Sequence, residues 1–173
     1  MPLPILGAPP GAKQVPSAEL QGSGESICRV LADLLGRSVT GKKIASFPLL
    51  PIGRRIVVAF EEDDGSIRFV LVCDMAFAAF TGAALLMVPA QVAKECVAAG
   101  QCTPDLLDNL AEILNICRQC FERPGHHIAP PKLYGSGRAI VGNVTAVITA
   151  PKQRLDLEVK IAGYGEGRLS ILV

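Results

Sequence analysis

Residues 69–88 constrain this chain more than any other stretch. They form its most apolar run and match the length of one bilayer span, about 20 residues. Asp74 interrupts the run near its start, and no Lys or Arg falls between Arg68 and Lys94. The run also changes character at Asp74. Residues 66–73 are rich in Ile, Val, Phe and Leu and read as a strand, whereas 75–87 are rich in Ala, Leu and Met and read as a buried helix. A strand passing into a core helix accounts for the run without a membrane. The N-terminus shows no basic region followed by an apolar block, so no signal peptide is expected and the cytoplasm is the expected compartment.

The composition says how the domain around that run is built. The 173 residues are half hydrophobic, with Phe 6, Tyr 2 and no Trp, and 17 basic against 16 acidic residues leave a net charge of +1. Such a chain is too apolar to be disordered over most of its length. It lacks the basic surplus of a nucleic-acid binder and the aromatics of a stacking site. One domain of this size buries roughly 70% of its unfolded surface. The six cysteines, Cys28, Cys73, Cys96, Cys102, Cys117 and Cys120, are expected as reduced thiols. Cys117 and Cys120 form a C-x-x-C pair, and His126 and His127 follow, parts from which a zinc site could be built. No second C-x-x-C exists and Cys117 falls on an apolar helix face, so structural thiols are expected and no metal.

The punctuation of the chain places the elements. Residues 1–22 carry Pro2, Pro4, Pro9, Pro10 and Pro16 and read as an irregular arm, with a single domain over 23–173. Ile27, Val30, Leu31, Leu34 and Leu35 make one helical stripe over 24–37, with Ser23 as its cap and Gly36 as its stop. Residues 46–53, with Pro48 and Pro51, read as a connection. Strands at 54–61 and 66–73 flank Asp64-Gly65, a hairpin turn signal. Pro89 opens a helical segment ending near Gly100, and Thr103-Pro104-Asp105 opens another that runs to Glu122, before Pro124-Gly125. Strands are expected at 127–134, 138–150, 153–161 and 167–173, with Gly135-Ser136-Gly137 as a turn. Leu155, Leu157, Val159 and Ile161 alternate with Asp156, Glu158 and Lys160, the pattern of a sheet with one wet face. Helices gathered mid-chain and strands at both ends predict an α+β fold with a mostly antiparallel sheet packed against central helices.

The helix from Thr103 carries the only chemical signal of note. Leu106, Leu110, Ile113, Leu114, Cys117 and Phe121 cluster within about 100° on a helical wheel. Asp105, Asp108, Glu112, Asn115, Gln119 and Glu122 lie opposite. Glu112 and Asn115 are three apart and share the wet face. Asn is a weak helix former there, and Ala or Lys would stabilise the helix more, which points to a functional reason for it. A carboxamide can orient a water towards an electrophile, and a carboxylate one turn away can hold a cation of a partner. Phosphoryl hydrolysis needs mainly positioning and charge stabilisation, so the pair suffices where another protein supplies the rest. The chain has no G-x-x-x-x-G-K-[ST], G-x-S-x-G or H-E-x-x-H motif.

With Glu112-Ile-Leu-Asn115 as an E-x-x-N motif, the Pro130-Pro131 strand after it and Gly135-Ser-Gly137, the chain resembles the CheC/CheX family of chemotaxis phosphatases over residues 24–173. The resemblance implies a CheX-like fold and removal of the phosphoryl group from the aspartate of a phosphorylated, CheY-like response regulator. It implies that Asn115 orients the attacking water, that Glu112 pairs with a lysine of the regulator, and that the magnesium ion belongs to the regulator, leaving this chain no cofactor of its own. Asp105, Asp108 and Gln119, on the same helix, are expected to contact the partner. A single motif, with Cys28 three residues after Glu25 where a second Asn would stand, matches the CheX type and implies a homodimer. Family members carry small residues where this chain has Arg118 and Gln119. The related flagellar switch proteins suggest an alternative, a non-catalytic binding module of the same fold. Neither nucleic acid nor membrane is expected as a partner.

Overall fold

A computed structural model describes residues 17–49, 54–135 and 139–173 of the chain. Residues 1–16 of the expected 1–22 arm, the end of the 46–53 connection, and Ser136, Gly137 and Arg138 lie outside the described residues.

The hairpin stands where the Asp64-Gly65 signal puts it. β2 (Arg55–Glu61) pairs antiparallel with β3 (Ile67–Asp74). Gly65 takes φ 83°, a left-handed turn position, and Asp64 Oδ1 accepts from the Ser66 backbone N–H at 2.8 Å. β3 then passes without a loop into α2 (Met75–Leu86). Asp74 makes that junction. Its Oδ1 accepts from Phe77 N at 2.8 Å, capping α2, and from Arg168 N at 3.0 Å, tying the cap to the last strand of the chain. The charge that splits the apolar run is thus the N-cap of the helix it opens. Among the described residues no helix is long and apolar enough to cross a membrane.

The remaining elements are α1 (Ala18–Leu35), β1 (Val39–Lys43), α3 (Ala90–Ala99), α4 (Pro104–Cys117) with a 3-10 turn (Arg118–Phe121), β4 (Lys132–Tyr134), α5 (Gly142–Thr149), β5 (Arg154–Ile161) and β6 (Gly165–Leu172). The strands form one six-stranded antiparallel sheet in the order β1-β5-β6-β3-β2-β4, so the fold is α+β as expected. α1, α2 and α4 bury one face of the sheet around Ile27, Leu31, Phe60, Phe69, Phe77, Leu110 and Leu114. Gly82 lets α2 and α4 touch, because a Cβ there would stand 2.5 Å from the Leu106 carbonyl oxygen.

Several expectations need correction. α1 begins at Ala18 with Ser17 as its cap, and Ser23 is buried inside it, because Leu20 extends the apolar stripe by two turns. β1 carries no strong strand signal and is an edge strand; Lys42 and Lys43 suit that place. The 138–150 stretch contains a helix, α5, although Val144, Thr145, Val147 and Ile148 favour strands. Val144 and Ile148, four apart, face Phe47, Val57, Val70, Val72 and Leu172 on the second face of the sheet, and that burial overrides propensity. The wet-face reading of β5 holds at Lys160, which is exposed, and in part at Glu158, and fails at Asp156. Asp156 is only 6% exposed, held by Arg154 Nε and Nη2 at 2.8 Å each and by Ser170 Oγ at 2.7 Å. The expected strand at 127–134 shrinks to β4, since Pro130 and Pro131 have no N–H to give a ladder. α4 stops at Cys117 and tightens into the 3-10 turn instead of continuing to Glu122.

Candidate functional site

α4 is held in place by its ends and its inner face. Thr103 Oγ1 accepts from Leu106 N at 3.4 Å and Pro104 occupies the first turn, so the start is preset. Leu106, Leu110, Ile113, Leu114 and Cys117 are buried against α1, α2 and the sheet. The outer face is therefore presented on a rigid element.

Asp105, Asp108 and Glu112 stand exposed there, and no described cation or donor engages their carboxylates. Asp108 and Glu112 come together on a groove of about 420 Å³, lined also by Leu34 of α1, Leu85 of α2 and Asn109, Ile113 and Ile116 of α4. Asp108 also borders a second groove of about 440 Å³ with Ile56, Met75, Cys102, Leu107 and Leu133. Asp105 stays apart in the first turn, and Gln119 lies beyond the helix end in the 3-10 turn.

Asn115 differs from both groups. It follows Glu112 by one turn but does not line either groove. The wheel sets it opposite the apolar stripe, yet its Oδ1 is covered and has no hydrogen-bond partner. Asn109, in contrast, spends its amide on the Asp105 carbonyl at 2.7 Å. A covered amide oxygen without a partner costs stability, so Asn115 is not chosen for the helix itself. Arg118, the bulky neighbour, is turned to the Ile128 carbonyl at 2.9 Å and to Glu122.

The thiols do not form a centre. All six cysteines are free, and among the described residues no group of three His, Cys, Asp or Glu side chains comes together to hold a metal. Burial pushes the Cys117 and Cys102 thiols up to about 12, and neighbouring sulfurs add to the shift. Such thiols are poor nucleophiles at neutral pH. His126 sits on the surface with Nδ1 3.2 Å from Glu62 Oε2.

The groove residues escape the sequence reading unequally. Leu34 reads only as part of the α1 stripe, and Leu85 as core. Ile116 does carry a signal, being an aliphatic side chain outside the α4 stripe among acids.

Compared by sequence, the chain matches no family model and no curated protein. Compared by structure, it is similar to FliY from Thermotoga maritima at a TM-score of 0.56 and 16% identity, over 87% of this chain and 83% of that one. It is similar to the CheX–CheY–BeF3–Mg complex from Borrelia burgdorferi at 0.50 and 16%, over 89% and 96%. It is also similar to the FliG–FliM complex from H. pylori at 0.52 and 13%, over 91% and 93%. The chain has the fold of the CheC/CheX/FliM group. The matched structures carry CheX, CheC-like, FliY and FliM names, so the fold alone does not choose among them and the distinction rests on α4.

Proposed function

We propose that this protein hydrolyses the aspartyl-phosphate of a response regulator, with Asn115 positioning the attacking water. The observation that carries this reading is the unpartnered amide oxygen of Asn115, one turn from a free Glu112. The covered amide oxygen has no hydrogen bond to give up, so turning the side chain outward on docking costs it no partner and lets it accept from a water trapped between the two proteins. That water attacks phosphorus as the bond to the aspartyl oxygen breaks, releasing phosphate and the free carboxylate. Glu112 holds a cationic side chain of the regulator and so fixes the approach. This chain needs no cofactor of its own; neutralisation of the phosphoryl oxygens comes from magnesium held by the regulator. The protein works in the cytoplasm as a homodimer, for which the open edge of β1 offers a pairing strand; the mass in solution tests that part.

The test is the dephosphorylation rate of phosphorylated regulators from the same genome, with and without this protein. Stimulation is expected, and Asn115→Ala is expected to reduce it about 100-fold, the scale of lost positioning. A chain that stimulates none of the regulators overturns the reading.

Gln119, exposed where the resemblance implies a small residue, favours a second reading, a non-catalytic binding module that docks on the same face. FliY and FliM have this fold. Binding that ignores both phosphorylation and Asn115→Ala would decide for it.

A further inference from the structure

Aliphatic side chains stand open beside the acids of α4. Ile116 is 37% exposed on the groove that Leu34 and Leu85 help to line. The chain runs on from Leu85 into Leu86 and Met87, 41% and 81% exposed. Met87 takes φ 54° at the C-cap of α2, a left-handed position that favours Gly or Asn. Neither backbone preference nor burial explains a methionine there. A flexible, polarisable thioether held out into solvent is suited to an adaptable contact.

The rim of this groove has one sign. Asp108 and Glu112 line it and no basic residue does. The cations of the neighbouring helix ends are committed elsewhere. Arg37 donates to the Leu35 and Ala162 carbonyls and lies over the Tyr164 ring, while Arg118 is turned to Ile128 and Glu122. A second copy docking face to face would set these acids against themselves, and an anionic lipid surface would be repelled.

We propose that this groove docks a basic amphipathic helix of a partner protein. Its Leu- or Met-sized side chains pack on Leu34, Leu85 and Ile116, its Lys or Arg side chains pair with Asp108 and Glu112, and the exposed Met87, two residues beyond Leu85 and outside the groove lining, extends the contact past the groove's end. The proposal deepens the phosphatase reading, and it rests on that reading only in taking the helix to belong to a response regulator.

The full chain, methyl-labelled, is titrated with a synthetic helical peptide of Leu at helical spacing with Lys between, and with the same peptide carrying Glu for Lys. The Lys peptide is expected to shift the methyl signals of Leu34, Leu85, Met87 and Ile116, and the Glu peptide to leave them in place. Ile116→Asp is expected to weaken binding at least tenfold. Met87→Asn, which suits the left-handed position, is expected to weaken it severalfold with the fold retained. Equal binding of both peptides, shifts confined to another face, undiminished binding by both variants, or self-association relieved by Ile116→Asp would each overturn the proposal. Peptide binding as expected, with no regulator dephosphorylated, removes the phosphatase reading and keeps the docking site. A regulator dephosphorylated equally well by wild type and both variants keeps the phosphatase reading and removes the docking site.

Discussion

α2 and α4 lie in contact, and their sequences answer to different demands. From Phe77 to Ala84 every residue of α2 is buried, so its composition is a packing solution: aromatics, alanines and a glycine where α4 comes close. α4 repeats that logic only on its inner stripe. Its outer face holds three free carboxylates, an amide oxygen without a partner and an exposed isoleucine, none of which improves the helix. The one polar side chain in the buried stretch of α2, Thr81, also has a covered oxygen without a partner, but α2 carries no charged side chain and α4 carries several on its outer face. The surplus on α4 therefore marks it as the working face.

The contrast can be broken most forcefully at α2. Phe77→Ala removes a fully buried ring and is expected to cost about 3–5 kcal/mol in denaturant unfolding; a loss under 1 kcal/mol would mean that α2 is not the packing centre. The inner stripe of α4 is tested through pH. The Cys117 thiol is raised to about 12 in the folded protein from 9.0, so between those values the unfolded chain has lost a proton that the folded one keeps. Stability is thus fully present below pH 9 and falls as pH rises towards 12, by at most about 1.4 kcal/mol per unit for this thiol. Cys28, Cys73, Cys102 and Cys120 are shifted the same way, mainly by burial, and add to the decline. Unfolding measured at pH 9.5 and 10.5 is expected to fall less steeply for Cys117→Ala than for the wild type.

Asp74→Ala tests the junction that feeds α2. It removes the cap and the bond from Arg168 N, and is expected to cost about 1–2 kcal/mol. The smallest stability effect belongs to the outer face. Asp108→Asn and Glu112→Gln are each expected to change unfolding by less than about 0.5 kcal/mol while weakening partner binding. A larger stability loss would show that these acids serve the fold and would erase the difference between the two helices.

Both helices are legible in the sequence, for reasons that differ. The split at Asp74 shows because strand and helix compositions meet at a charge that then caps the helix. The two faces of α4 show because a long amphipathic segment has a 3.6-residue period. α5 does not show, since its Val and Ile residues favour strands until the second face of the sheet claims Val144 and Ile148. Asp156 misleads because alternation cannot reveal that Arg154 and Ser170 enclose this one position of the polar side.

The sequence by itself determined the α+β class, the hairpin, the capped start of α4 and the Glu112–Asn115 pair, because each rests on neighbours along the chain. Only the tertiary structure decided that Leu34, Leu85 and Ile116 share one groove with Asp108 and Glu112, that Arg118 is turned aside, and that the Asn115 oxygen lacks a partner. Those facts depend on three helices separated in sequence meeting over one sheet, and no local pattern encodes that meeting.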